Sequence, residues 1–328
     1  MTKPSILHAP FDVGGQARGL SLAERELGLV SDVAVFGPQR WGYEYDIDLH
    51  AALPVPLPVR MARRGSFLLK ALERYEIFHF NFGHTLLRLC GLGRVIDELP
   101  LLRRRGKTIL VTYQGRDARD IPRSACHRRA AERSLRYADR VFYLNPDLGP
   151  LLPGARFLPY ANLDPRSVAP APPDGGAKEV VVAHAPTDRA IKGTQHVIGA
   201  VELLRSQGLP VRLELLEHLT RKQVLERVSG ADVVVDQLLI GWYGGFAVEA
   251  MALAKPVVCF VDEDDNPFGE RLPLVRADPA TLPEALRELV LDPARRSTTG
   301  LASRRFVEEE HDPRKVARTV LQGIVELP

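Results

Sequence analysis

Short apolar runs alternate along the chain with stretches in which apolar residues recur every three or four positions. The first run covers 5–9. A turn at 10–15 follows, then a segment, 16–27, in which Leu20, Ala23 and Leu27 share one helical face. A second apolar run at 32–36 completes a strand–turn–helix–strand unit. Further runs at 77–80, 108–112, 140–144 and 155–159, with a basic helix at 123–137, extend it. Residues 165–178 are rich in Pro, Ala and Gly and form the best linker in the chain. The alternation then restarts, with strands expected at 179–183, 211–216, 232–235 and 256–260. Helices are expected at 194–207 (Thr194 as N-cap, Gly208 as stop), 221–228, 246–254 and 283–291. A last helix starts at Asp312-Pro313, a capping residue followed by Pro at the first helical position. The pattern predicts an α/β protein of two doubly wound parallel-sheet domains facing a cleft. Domain one covers 1–165, the linker 166–178 and domain two 179–310. A C-terminal helix, 311–328, is placed to pack back on the first domain. In such sheets ligands sit beyond the carboxyl ends of the strands, so the residues that matter should follow strands.

The length of 328 residues exceeds one typical core and suits two domains. No apolar run approaches the roughly 18 residues that span a bilayer. The N-terminus lacks a signal-peptide core. Cys90, Cys126 and Cys259 show neither pairing nor metal-ligand spacing, which fits a reducing cytoplasm. The net charge of +3 hides an asymmetry. Residues 1–165 carry 24 basic and 17 acidic residues, the rest 20 and 24. A basic first half fits an acidic partner, either a phosphorylated acceptor or an anionic membrane surface reached from the cytoplasmic side. A solvated, Arg-rich surface explains it equally well, since only 8 of the 44 basic residues are Lys.

Candidate chemistry concentrates in Ala231–Pro256. A buried strand ends at Asp236, and a glycine-rich loop, Gly241-Trp242-Tyr243-Gly244-Gly245, opens a helix at Phe246. Backbone N–H groups and the helix dipole there favour an anion. Glu249, one turn in, repels phosphate but can accept hydrogen bonds from ribose hydroxyls. A tight turn followed by a surface glutamate is the bland alternative. His184–Gly193, HAPTDRAIKG, follows a strand and offers His184, Thr187, Arg189 and Lys192. In the first half, Gly14 and Gly15 follow the first strand, without the three-glycine dinucleotide fingerprint. Asn81 and His84 follow the strand at 77–80, and Gln114 follows that at 108–112.

The second half resembles the donor site of glycosyltransferase family 4 and its retaining GT-B relatives. Ala231-Asp232, Gly244, Glu249-Ala250-Met251-Ala252 and Lys255-Pro256-Val257-Val258 fit that signature without gaps, and Lys192-Gly193 fits its diphosphate loop. The resemblance implies two Rossmann-like domains and a nucleotide-sugar donor that is a substrate, with no cofactor and no metal. Glu249 would hold the ribose. Arg189 and Lys192 would stabilise the departing diphosphate, a charge that grows as the glycosidic bond breaks. Arg189 stands three residues before the lysine, where five is commoner. Gly14, Gly15, Asn81, His84 and Gln114 would face the acceptor, a glycan, glycolipid or other hydroxyl compound. Gln114 stands where the family commonly has His; Gln can hydrogen-bond but cannot shuttle a proton. Gly241 replaces the first glutamate of the family's pair, implied to touch the donor sugar. The expectation at this emptied position is that Trp242 and Tyr243 contact the sugar instead, with Trp242 in the core as the alternative.

Rival readings are a GT-B scaffold that binds a nucleotide-sugar without catalysis, and a nucleotide-sugar epimerase. Asp262-Glu263-Asp264-Asp265 reads as a solvated loop. No recurring basic–aromatic pattern points to nucleic acid.

Overall fold

The computed structural model describes residues 4–38, 41–91, 94–176 and 178–327. The chain forms two compact units, Met1–Asn162 with Pro313–Pro328, and Leu163–Asp312. The boundary thus falls before the Pro-rich stretch, which belongs to the second unit.

Unit one holds β1 (Ser5–Ala9), α1 (Gln16–Glu26), β2 (Val30–Val35), β3 (Ile47–Asp48), α2 (Leu57–Arg74) and β4 (Ile77–Asn81). A hairpin of β5 (Leu89–Gly91) and β6 (Arg94–Ile96) follows. Then come α3 (Leu99–Arg104), β7 (Thr108–Tyr113), α4 (Arg116–Arg119), α5 (Ala125–Tyr137), β8 (Arg140–Tyr143) and β9 (Arg156–Phe157). The main sheet runs β3-β2-β1-β4-β7-β8-β9, every pair parallel. All five residues of β4 are buried, because helices cover both faces of a parallel sheet and leave no solvent side to alternate toward. The chain winds one way from β1 to β2 and the other way to β4, so the β1/β4 boundary is the switch point where a crevice opens.

Unit two holds β10 (Val180–His184), α6 (Arg189–Lys192), α7 (Thr194–Ser206), β11 (Val211–Leu215), α8 (Arg221–Ser229), β12 (Val233–Val235), α9 (Gly245–Ala252), β13 (Val257–Cys259), β14 (Val275–Arg276), α10 (Leu282–Leu291) and α11 (Pro293–Glu310). Its parallel sheet runs β11-β10-β12-β13-β14, with the switch between β10 and β12. The last helix, α12 (Pro313–Leu321), packs on α1 of unit one, where Val316, Ala317, Val320 and Leu321 join Leu20, Ala23 and Leu27.

Two details differ from the sequence expectations. Gly193, with φ 75°, precedes α7 in place of a Thr194 cap; Thr194 turns inward to His184. Cys90 on β5 and Cys126 in the first turn of α5 form a disulfide, with Cα atoms 5.8 Å apart. Thirty-six residues separate them, so only the fold reveals the pair. Only Cys259 is a free thiol, and it is buried. With two of the three cysteines paired, the cysteines do not point to a reducing compartment. Among the described residues no helix is long and apolar enough to cross a membrane.

Candidate functional site

In unit two the segments after β10, β12 and β13 meet at one edge of the sheet, because these strands are neighbours. Lys192 closes the short helix α6, whose first turn Asp188 caps by accepting from the N–H groups of Ala190 and Ile191. Its Nζ donates to Asp236 Oδ1 and Gln237 Oε1, both at 2.8 Å. Asp236 is buried, and its other oxygen accepts from the N–H of Gly244 at 2.7 Å. The glycine turn that opens α9 is thus tied to Lys192 through one carboxylate. A Cβ on Gly244 would stand 3.2 Å from Lys192 Nζ, so the missing side chain lets the ammonium lie against the backbone. The turn is therefore not a set of free donors: the protein's own Asp236 takes the Gly244 N–H. Gly245 begins α9, and Phe246 is partly buried on its first turn.

Arg189 is exposed and pairs with Glu217 through both ends of its guanidinium. Exposed pairs of this kind hold little net energy, so the guanidinium can change partner when an anion arrives. Thr187 is exposed in the same turn. Glu249 is buried on α9, and Arg221, the first residue of α8, donates to its Oε1 at 2.5 Å. Asp236 was visible in the sequence only as a strand end, and Arg221 carried no signal, because its partner lies 28 residues away.

Three donor-side expectations are corrected. His184 is buried with both ring nitrogens engaged. Nδ1 donates to the carbonyl of Val235 at 2.8 Å, and Nε2 accepts from Thr194 Oγ1 at 3.0 Å. Burial lowers its pKa, and the side chain braces β10, β12 and α7 rather than meeting a ligand. Trp242 and Tyr243 are both fully buried, in an aromatic cluster with Phe268, Phe306 and His311. Tyr243 OH and His311 Nε2 are hydrogen-bonded at 2.9 Å. Neither ring is left to cover a sugar. Tyr243→Phe should accordingly lower stability by about 1–3 kcal/mol and leave the ranking of donor sugars unchanged, which thermal melts and donor-panel kinetics would check.

The third correction concerns Gly241. The space beside it is not empty. A Cβ there would lie 2.9 Å from the Cβ of Asp262, whose N–H donates to the Gly241 carbonyl at 2.9 Å. The loop after β13 folds onto the glycine and sets the Cβ of Asp262 where a side chain at 241 would start, while the exposed Asp262 carboxylate accepts from the N–H of Asp264 at 3.3 Å.

In unit one Gly14 and Gly15 follow β1, Asn81 ends β4 with His84 just beyond it, and Gln114 follows β7; the three strands are adjacent. Gly14 and Gly15 have φ of 68° and 81°, and Asp12 Oδ1 accepts from the N–H of Ala17 at 2.8 Å to close the turn. Asn81 is buried; its Nδ2 donates to the His79 carbonyl and its Oδ1 has no partner among the described residues. Gln114 is buried with Nε2 unpartnered among the described residues, while Asp117 accepts from the N–H groups of Gln114 and Gly115. Burial pushes the Asp117 carboxyl up to about 6 despite those bonds.

No sequence-family model matches this chain, and no curated protein matches it. Solved structures do. The chain is similar to sucrose-phosphate synthase (tll1590) from Thermosynechococcus elongatus, with a TM-score of 0.67 at 18% identity over 98% of both chains. It is similar to Anabaena Alr3699/HepE in complex with UDP and glucose, with a TM-score of 0.64 at 13% identity over 98% of this chain and 99% of that one. It is also similar to an alpha-glucosyltransferase in complex with UDP and a 13-mer DNA, with a TM-score of 0.63 at 13% identity over 99% of both. The fold is that of the GT-B glycosyltransferases, two Rossmann-like parallel-sheet units. One of these neighbours was solved with DNA, so the fold gives no ground for excluding nucleic acid.

Proposed function

We propose that this chain is a glycosyltransferase that moves a sugar from a nucleoside-diphosphate-sugar to an acceptor hydroxyl, with retention and without a metal ion. The observation that carries the reading is Lys192, whose ammonium is fixed by Asp236 and Gln237 against the glycine turn of α9. An ammonium has three donors. Two are used, and the third has no partner among the described residues. A diphosphate seated at the turn would meet that donor, with Arg189 released from Glu217 as a second cation. Glu249, steadied by Arg221, would accept from the ribose hydroxyls. The acceptor attacks from the face the diphosphate leaves, and the departing phosphate takes its proton. Asp262 stands in for the missing carboxylate at 241 as the contact to the donor sugar.

Peripheral contact with an anionic membrane surface, from the cytoplasmic side, belongs to the same reading. Residues 49–72 contain no Asp or Glu, and Leu53, Leu57, Val59 and Leu69 are exposed there beside Arg63 and Lys70.

The test is a nucleotide-sugar panel followed by thermal shift, then turnover with and without an acceptor. Release of nucleoside diphosphate with an α-configured product from an α-donor, undiminished by EDTA, is expected. Donor binding without hydrolysis or transfer would favour the binding scaffold, and conversion of the donor alone to its epimer would favour the epimerase. Glu249→Ala should weaken donor binding by about 1.5–3 kcal/mol in calorimetry. Unchanged affinity would remove Glu249 from the ribose site.

A further inference from the structure

β4 ends in a turn that a chain enters only under constraint. Phe82 and Gly83 both have positive φ, 57° and 55°, and a bulky residue in that region is an outlier. Gly83 is required for a second reason: a Cβ there would lie 2.4 Å from the ring of Tyr113. The turn delivers His84 to a ring pocket, parallel to Phe82 and edge-on to Phe11.

Arg88 lies over this turn. Its Nη1 donates to the Gly83 carbonyl at 2.6 Å, and its Nη2 donates to His84 Nε2 at 3.3 Å. A guanidinium only donates. His84 Nε2 must therefore be the bare acceptor nitrogen, and the ring proton must sit on Nδ1. Burial, then Arg88, His127 and Arg64, bring the His84 pKa down to about 3. The side chain is thus a neutral ring with a fixed Nδ1–H donor, and it cannot serve as a base at Nδ1.

The surroundings are cationic. Among the described residues Arg88 forms no ion pair with a carboxylate, and neither does Arg64, which lies over Phe36 at 3.6 Å and donates to the Ala51 carbonyl. Arg64 Nε and His127 Nδ1 are buried without partners among the described residues. The acids within electrostatic reach among the described residues are already committed, and Asp120, which faces His127, is paired with Arg116 at 3.3 Å. Glu98 accepts from the N–H groups of Leu86 and Leu87 and is pushed up to about 7 by burial. Asp97 is held by both ends of Arg133, and Asp117 by the backbone of its own turn.

We infer that Arg88 and the Nδ1–H of His84, with Arg64 and His127 beside them, form a recognition site for a phosphate oxyanion carried by the acceptor. The inference rests on the reading of unit one as the acceptor side. Arg88 supplies charge, and His84 supplies a directed donor whose tautomer Arg88 sets. His84 is a positioning residue here, not an acid or base.

The experiment uses the full chain labelled with 15N in its histidines, with inorganic phosphate as the probe and no donor present. His84, assigned with His84→Asn, is expected as the Nδ1–H tautomer and to stay neutral from pH 8 to pH 5. Phosphate should shift the His84 and His127 signals, and Arg88→Gln should weaken that binding at least tenfold. Arg88→Lys keeps a donor for the Gly83 carbonyl and guards against misfolding; it should still weaken phosphate several-fold. A His84 that titrates near 6 overturns the inference. So does phosphate that moves neither signal, or equal affinity in wild type and Arg88→Lys. Phosphatidylglycerol vesicles form a separate arm, and a response to vesicles but not to phosphate also overturns it, since the contact would be with a lipid surface. Binding is read without turnover, so a failure of glycosyl transfer and a failure of this site are told apart.

Discussion

Lys192→Gln is expected to lower the rate of sugar transfer by about 10²–10³-fold, the usual effect of removing a preorganised donor to a leaving group, while donor affinity falls far less. Two facts make the substitution informative. The wild-type ammonium touches two protein oxygens at 2.8 Å, and Gln can keep a hydrogen bond to either while losing only the charge. Lys192→Ala is a harsher change, because it leaves the buried Asp236 with the Gly244 N–H as its remaining bonded partner and should unfold more easily. The charge matters most when the diphosphate departs, so kcat should carry the loss and the calorimetric Kd should change little. Turnover of Lys192→Gln within a few-fold of wild type would take Lys192 out of the leaving-group site.

The longer strands of both sheets were legible because parallel strands buried on two faces read as uninterrupted apolar runs, as at 77–80 and 179–183, whereas the two-residue strands β3 and β14 were too short to register. Helices were legible where one face is apolar, as in α1 and α7. α11 was not, although it is 18 residues long: it buries Gly300, Ser303 and Arg296 as well as Phe306 and Val307. Its backbone comes so close to the end of α9 that a Cβ on Gly300 would stand 2.2 Å from the Ala254 carbonyl oxygen. Close approach of that kind selects small residues and erases the periodic signal. α2 was hidden by Pro54, Pro56 and Pro58 at its start and by an exposed first half. Lys192 and Glu249, the residues proposed for the donor site, were singled out from two short motifs in the sequence. Their carboxylate and arginine partners, Asp236 and Arg221, sit 44 and 28 residues away and are joined only by the fold. The fate of Trp242 and Tyr243 turned on the same kind of contact. A glycine-rich loop places two aromatic rings near an edge, but Phe268, Phe306 and His311, far along the chain, draw them into the core.

Asp262→Ala is expected to lower kcat/KM for the preferred donor by roughly 10–100-fold, the loss of a charged hydrogen bond to a sugar hydroxyl. Affinity for the nucleoside diphosphate alone should stay the same. The expectation follows from the proposed donor site and from one steric fact. Residue 241 cannot carry a glutamate as the loops stand, because its first side-chain atom would fall 2.9 Å from the Asp262 Cβ. The main-chain bond from Asp262 N–H to the Gly241 carbonyl at 2.9 Å holds the two segments at that separation. The two positions are therefore sterically coupled: glycine at 241 leaves room for the main chain and Cβ of Asp262, whose exposed carboxylate is the proposed sugar contact. Gly241→Glu alone should cost both stability and activity through overpacking. Gly241→Glu combined with Asp262→Gly removes the clash and returns a carboxylate from the opposite side, so part of the lost activity should come back. A double-mutant cycle on kcat/KM, run over several donors that share one nucleotide, measures the coupling. Recovery in the double variant, strongest for sugars with a hydroxyl that a carboxylate can reach, is the expected result. If Asp262→Ala scaled every sugar equally and the double variant recovered nothing, the carboxylate would have no part in reading the sugar.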